Sequence, residues 1–181
     1  MTITIIYHAY KNHLTLEESI KTFAKQNDTD FEFILVNDGA NNKTTKVLSK
    51  IDFSKFKHFQ YYDFSQNVGH SFSFNTAFKN LESDYVYYAG SNTMVKPEFI
   101  GQVKRLLIKA KPDVLSMMNY KADGRLQIFN RPDVHFKKHI TQSTRIKIFS
   151  VPLLRANGIT MDETYYAPLV FIYKIFTHFR K

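Results

Sequence analysis

The sequence predicts a doubly wound α/β sheet, and three observations predict it. Strand and helix patterns alternate four times across residues 1–110, the order that builds βαβ units around a largely parallel sheet. The strand segments read as near-continuous apolar runs, most clearly Phe31-Glu32-Phe33-Ile34-Leu35-Val36, which suits a strand covered on both faces. That run passes straight into Asn37-Asp38-Gly39-Ala40, a polar turn at a strand's carboxyl end, where open α/β sheets bind their ligands. A carboxylate there can accept hydrogen bonds from a ligand, and Gly39 lets the backbone turn sharply beside it. Capping the following helix is the plainer role for the same Asp-Gly pair.

The elements follow in order. Thr2 to His8 is a β-branched first strand, ending in the polar loop Ala9-Tyr10-Lys11-Asn12. Leu14 to Gln26 carries Leu16, Ile20, Phe23 and Ala24 at helical spacing. After the Phe31–Val36 strand comes a short helix through Val47 and Leu48, then a third strand over Lys57–Tyr62. Asn67-Val68-Gly69-His70 opens a helix with the stripe Phe74, Ala77, Phe78 and Leu81. Tyr85 to Ala89 is a fourth strand closed by Gly90-Ser91-Asn92-Thr93, and Pro97 is expected as the first residue of a helix reaching Ala110. Beyond it, Val114–Met118, Leu126–Phe129 and Arg145–Phe149 read as strands, Val151–Asn157 as a short helix stopped by Gly158, and a last helix follows Pro168.

Length and composition bound the function. A chain of 181 residues with 44% hydrophobic and 23% charged content suits one folded domain over 1–181, with its own core. No apolar run reaches the roughly 18 residues that span a bilayer. Met1 leads directly into a strand without a basic leader, and the chain has no cysteine; both point to a cytoplasmic protein without disulfides or thiolate metal sites. The net charge of +9 is uneven: residues 1–90 carry 9 basic and 10 acidic side chains, residues 91–181 carry 16 and 6. Arg131, Lys137, Lys138, Arg145, Lys147 and Arg155 are prominent in that second half, and such a field attracts phosphate-bearing ligands or anionic lipid. A solvated, Lys-rich surface is the bland alternative. No recognisable RNA-binding motif interleaves aromatic and basic residues on a strand, so nucleic acid is not the expected partner.

Four features together resemble the family 2 glycosyltransferases of the GT-A fold. His8-Ala9-Tyr10-Lys11 is similar to that family's Pro-x-Tyr-Asn-like ending of the first strand. Ser19-Ile20, Gln26 and Val36-Asn37-Asp38-Gly39-Ala40 resemble Ser-Ile…Gln…Val-Asp-Asp-Gly-Ser. Asn67-Val68-Gly69 with Asn75 resembles Asn-x-Gly…Asn, and Asp84–Ala89 with Pro97 downstream resembles the strand before the family's metal motif. The resemblance implies a nucleotide-binding half over 1–110 and a short acceptor-side half over 111–181. It implies a UDP-type nucleotide-sugar as ligand, with Tyr10 stacking on the base, Asp38 accepting the base's imide N–H, and Gly39, Ser91 and Asn92 beside the nucleotide. The implied activity is sugar transfer to a surface-polysaccharide or lipid-linked acceptor. An inactive homologue that binds nucleotide or supports a partner transferase is the alternative.

Two positions depart from the family pattern. A divalent cation, manganese or magnesium, is usual in the family and is held by an Asp-x-Asp or Asp-Asp motif after the fourth strand; here those residues are Gly90, Ser91, Asn92 and Thr93, and no metal site is expected. The acidic pair that supplies the base in inverting members falls at Ala167-Pro168-Leu169-Val170. Asp162 and Glu163 are the nearest carboxylates, though both match positions that are not normally catalytic in the family. His70, at a helix start, is the best placed of the seven histidines. Its plainer reading is a polar surface residue, with the protonated form disfavoured at a helix N-terminus. His135 and His139 are four apart, but that stretch does not read as a helix. The last helix, Pro168–Lys181, is apolar over a broad face comprising Leu169, Ile172, Tyr173, Phe176 and Phe179. That breadth suggests a surface shared with a second copy, a partner transferase or the membrane interface.

Overall fold

The computed structural model describes residues 1–11, 13–39, 42–122, 126–133, 144 and 147–178, with the backbone alone for 42, 117–122 and 126–133. Its elements are β1 (Ile3–Ala9), α1 (His13–Ala24), β2 (Glu32–Asp38), α2 (Asn42–Leu48), β3 (His58–Phe64), α3 (Gly69–Phe78) and β4 (Tyr85–Gly90). They continue with β5 (Thr93–Val95), α4 (Phe99–Ala110), β6 (Val114–Ala122), β7 (Leu126–Asp133), β8 (Lys147–Ser150), α5 (Val151–Ala156) and α6 (Ala167–Thr177). The strands form one mixed eight-stranded sheet in the order β3-β2-β1-β4-β8-β6-β7-β5. The first four are parallel, while β8 is antiparallel to both β4 and β6.

The apolar runs behave as expected for central strands: every residue of β1 and β4 is buried. Alternate side chains divide between two cores. Ile3, Ile5, Tyr7, Phe33, Leu35, Tyr85 and Tyr87 pack with α1 and α4 on one face. Ile6, Ile34, Val36, Val86, Tyr88 and Phe149 pack with α3, α5 and α6 on the other. β3, at the sheet edge, alternates exposed and half-buried residues.

Several boundaries move, each for a local reason. α4 begins at Phe99 rather than Pro97, because the Gln26 side chain organises its start: Oε1 accepts from the Ile100 N–H at 3.0 Å, while Nε2 donates to the Lys96 carbonyl at 2.8 Å. Pro97 and Glu98 form the turn before it. β5 is an added strand; it pairs with β7, a partner 30 or more residues away, so no local pattern marks it. In α6 the buried residues include Phe171, Ile172 and Ile175, whereas Leu169 and Tyr173, grouped with Ile172 on one apolar face, are exposed. Phe179 lies outside the described residues.

The basic field also needs correction. Arg155 donates to the carbonyls of Lys79 and Leu81, so it caps the end of α3 instead of facing a ligand. Lys147 is fully buried at the start of β8. Arg145, Lys137, Lys138, His135 and His139 lie outside the described residues, as does the side chain of Arg131.

Burial pushes the Lys147 ammonium down to about 8. The unfolded chain, titrating near about 10.4, then binds more protons than the folded one above about pH 8, so stability rises with pH there. We predict that urea midpoints increase between about pH 8 and 9.5, before the tyrosines ionise, and that Lys147→Met removes the increase. An unchanged slope in the variant would show that another group carries it.

Candidate functional site

The parallel strands deliver their carboxyl ends to one edge of the sheet, with β1 between β2 and β4 at the point where strand order reverses, the usual ligand position in such sheets. His8, Ala9 and Tyr10 come from β1 and its exit, Asn37, Asp38 and Gly39 from β2, and Ala89 to Asn92 from β4. Register places His8 beside Val36 and Gly90, and Ala9 beside Asn37.

Asp38 lies at the centre and is completely buried. Its Oδ2 accepts from His8 Nε2 at 2.8 Å, Asn67 Nδ2 at 2.8 Å and the Gly69 amide at 3.2 Å; its Oδ1 accepts from the Val68 amide at 2.6 Å. Burial pushes this carboxyl up, yet the His8 and backbone bonds outweigh it and hold the group below the usual carboxylate range. An ionised carboxylate only accepts, so His8 Nε2 carries a proton. Asp38 thus anchors the loop that leads into α3.

Gly39 completes the anchor. Its φ is +59°, and an added Cβ would stand 2.1 Å from the Asn67 nitrogen and 2.1 Å from the Gln66 carbonyl carbon. Its amide donates to Phe64 O at 3.1 Å. The position needs glycine both for its backbone angle and for the loop lying against it.

Tyr10 is half-buried, with the Lys11 ammonium 4.8 Å from its ring centroid. Thr15, in the first turn of α1, donates to the Ser91 carbonyl at 2.7 Å, tying the Tyr10 side of the cleft to the β4–β5 loop. Ser91 is buried and Asn92 half-buried. The Gly90 amide donates to Thr93 Oγ1 at 3.2 Å, so this loop uses neutral oxygens for its own closure. Neutral hydroxyl and amide oxygens are poor substitutes for the carboxylates that hold manganese or magnesium. Among the described residues no three His, Asp or Glu side chains are grouped to hold a metal ion. The donor set at Gly90–Thr93 does not fit one.

Three contacts around His8 lie beyond what spacing reveals. The His8 and His70 rings are 4.3 Å apart between centroids, and His70 Nδ1 lies 3.2 Å from the Tyr88 hydroxyl. Asn37, which takes the place of the family's first aspartate, donates to Asp63 Oδ1 at 2.7 Å, and its own buried Oδ1 has no hydrogen-bond partner. These contacts join residues 18 to 62 positions apart; β2–β3 register pairs Asn37 with Asp63, while the packing of α3 on β1 and β4 brings in His70, and neither is written in a local pattern.

Comparison with known proteins places this architecture. The model for glycosyl transferase family 2 matches residues 4–161. The chain belongs to glycosyltransferase family 2. Glycosyltransferase GlyA of Streptococcus pneumoniae is 23% identical over 138 residues, which cover 76% of this chain and 18% of the relative. The teichoic acid poly(glycerol phosphate) polymerase of Staphylococcus epidermidis is 29% identical over 89 residues, covering 49% and 12%. The crystal structure of S. aureus TarS 1-349 in complex with UDP superposes with a TM-score of 0.82 at 22% identity, over 98% of this chain and 56% of that one. The mannosyltransferase PcManGT from Pyrobaculum calidifontis, solved with GDP-Man and Mn2+, gives 0.73 at 12% identity over 98% and 53%. The chain has the GT-A fold, and it spans less than a fifth of the curated relatives' length. This family 2 member carries Asp38 and Gly39 at the end of β2 and no charged residue over Gly90–Thr93.

Asp38→Asn should lower stability by about 1–3 kcal/mol, because an amide nitrogen replaces an acceptor facing several donors. The native carboxylate's contribution is present above about pH 4 and lost as pH falls through its lowered folded value. Acid unfolding of the variant should therefore be less steep between about pH 4 and 2. Gly39→Ala should cost at least about 2 kcal/mol; denaturant unfolding that matches the parent would contradict the close contact with Asn67.

Proposed function

We propose that this chain binds a UDP-sugar at the β1–β2–β4 edge and transfers the sugar to a hydroxyl of a surface-polysaccharide or teichoic-acid-type acceptor. The observation that carries the reading is the meeting of Tyr10, the Asp38–Gly39 turn and the Ser91–Asn92 loop at the sheet's switch point, on a fold it shares with a UDP-bound enzyme. Tyr10 offers a π-face to the uracil ring. Lys11, over the same ring, brings positive charge to the diphosphate. Asp38 serves the base side of the site, principally by fixing the loop that walls it. Residues 111–181 supply the acceptor side.

In this reading nucleotide binding runs without a divalent cation, because Gly90–Thr93 supply no anionic ligand. The non-catalytic alternative shares that feature and differs in turnover alone. Among the described residues no helix is long and apolar enough to cross a membrane. The exposed Tyr173 and Leu169 support contact of α6 with a second copy, a partner transferase or a membrane surface.

Calorimetric titration with UDP tests the proposal. Binding is expected, with Tyr10→Ala weakening it by about 1–3 kcal/mol, and with manganese or EDTA leaving the affinity nearly unchanged. Absence of binding at millimolar UDP sinks the nucleotide site. Strong dependence on manganese overturns the cation-free reading.

A further inference from the structure

A cavity of about 390 Å³ opens beside the nucleotide edge, between the starts of α3 and α6, lined by Gly69, His70, Ser71, Glu163, Tyr165 and Pro168 among others. Its walls are fastened together. Ser71 Oγ donates to the Asp162 carbonyl at 2.7 Å, and Asn75 bonds both ways to Met161, donating to its carbonyl at 2.8 Å and accepting from its amide at 3.0 Å. Ala167 and Pro168, two of the four positions Ala167–Val170 within which the family pattern expects an acidic pair, line the same cavity. Its α6 wall therefore lacks the expected base, while its α3 wall presents an imidazole.

That imidazole is held in one orientation. The Tyr88 hydroxyl lies 3.2 Å from both His70 Nδ1 and the His70 carbonyl oxygen. In the arrangement where the hydroxyl proton goes to the carbonyl, which accepts only, Nδ1 carries hydrogen and donates to the tyrosine oxygen. The lone pair then belongs to Nε2. Beneath the ring lies His8, 4.3 Å away between centroids, itself held through Nε2 by Asp38. Tyr165, which lines the cavity, is 94% exposed and meets Tyr166, 64% exposed, edge to face at 5.2 Å. Exposed aromatic faces suit the CH-rich face of a sugar or polyol.

We propose that this cavity is the acceptor subsite and that His70 is the general base, a role moved across the cavity from α6 to α3. The inference rests on the glycosyltransferase reading above. A hydroxyl oxygen of a sugar or polyol acceptor bonds to C1 of the donor sugar. The C1–O bond to the diphosphate breaks, its electron pair staying on the diphosphate oxygen, and the hydroxyl proton passes to His70 Nε2. Among the described residues, titratable groups facing His70 include His8 from β1, with Asp38 of β2 behind it, Tyr88 from β4, and Glu163 and Tyr165 on the cavity wall.

Release of UDP from UDP-GlcNAc, with water as the hydroxyl donor, tests this without knowing the natural acceptor. His70→Gln should keep the parent's UDP affinity and lose about 100-fold or more in rate, together with the acidic limb of the pH–rate profile. Tyr88→Phe, which removes the tautomer lock, should lower kcat with KM little changed and keeps the proposal testable if His70→Gln does not fold. Failure of the parent to bind UDP would defeat the glycosyltransferase reading and this one with it. UDP binding with no turnover across pH 5–9, turnover that survives His70→Gln, or loss of the acidic limb in Glu163→Gln instead, would each overturn the His70 assignment and leave the nucleotide site standing.

Discussion

The site depends on one buried carboxylate. Removing Asp38 from water is costly unless its oxygens are satisfied, and the donors that satisfy it come from separate parts of the chain: His8 on β1, and Asn67, Val68 and Gly69 on the loop before α3. The loop must close over the end of β2 for the charge to be tolerated. Closing brings Asn67 against Gly39 so tightly that no side chain fits there. The direction in which α3 leaves the sheet is thereby set, and with it the positions of His70, Ser71 and Asn75.

Several residues that carry the family pattern act on the scaffold. Ser19 accepts from the Tyr7 hydroxyl at 2.7 Å and donates to the Thr93 carbonyl, joining α1 to the strand after the candidate loop. Gln26 bonds to the Lys96 carbonyl and the Ile100 amide, and Asn75 clasps Met161. Each is a buried or half-buried side chain bonded to backbone that no strand or helix satisfies, a task for which an aliphatic replacement would leave unpaired polar groups. This explains how a binding edge can keep its shape while the charged residues around it change. Geometry and charge are carried by different side chains.

Much of the fold was legible because its signals are local. β1, β2 and β4 each carry a mostly apolar run, and α4 repeats Ile100, Val103 and Leu107 along one face. Long-range terms decided what was not legible. β5 exists through its pairing with β7, and α6 turns its Phe171–Ile175 face inward because Phe74 and Phe149 are there to meet it. Lys147 reads as a surface charge until the sheet buries it. That Tyr10, Asp38, Gly39, Ser91 and Asn92 fall at the carboxyl ends of β1, β2 and β4 could be read from their order along the chain. The His8–His70–Tyr88 contacts could not, since they depend on which strands neighbour one another and on the face each side chain takes.

Charge links the two departures from the family pattern. A metal-bound diphosphate tolerates nearby carboxylates because the cation offsets them. Without the cation, a carboxylate about 6 Å from a phosphate charge would be repelled by about 3 kcal/mol at an effective dielectric constant near 20. A loop without aspartates avoids that repulsion, and in the proposed reading Ser91 and Asn92 approach the nucleotide with neutral donors. The same argument reaches the base. A carboxylate base beside an uncompensated diphosphate would be harder to keep ionised, as any anion is near another, whereas an imidazole accepts its proton from a neutral state and becomes a cation as negative charge builds on the leaving group. In the proposed reading, a histidine on α3 in place of an acidic pair within Ala167–Val170 is thus the arrangement that uncharged residues at Gly90–Thr93 favour.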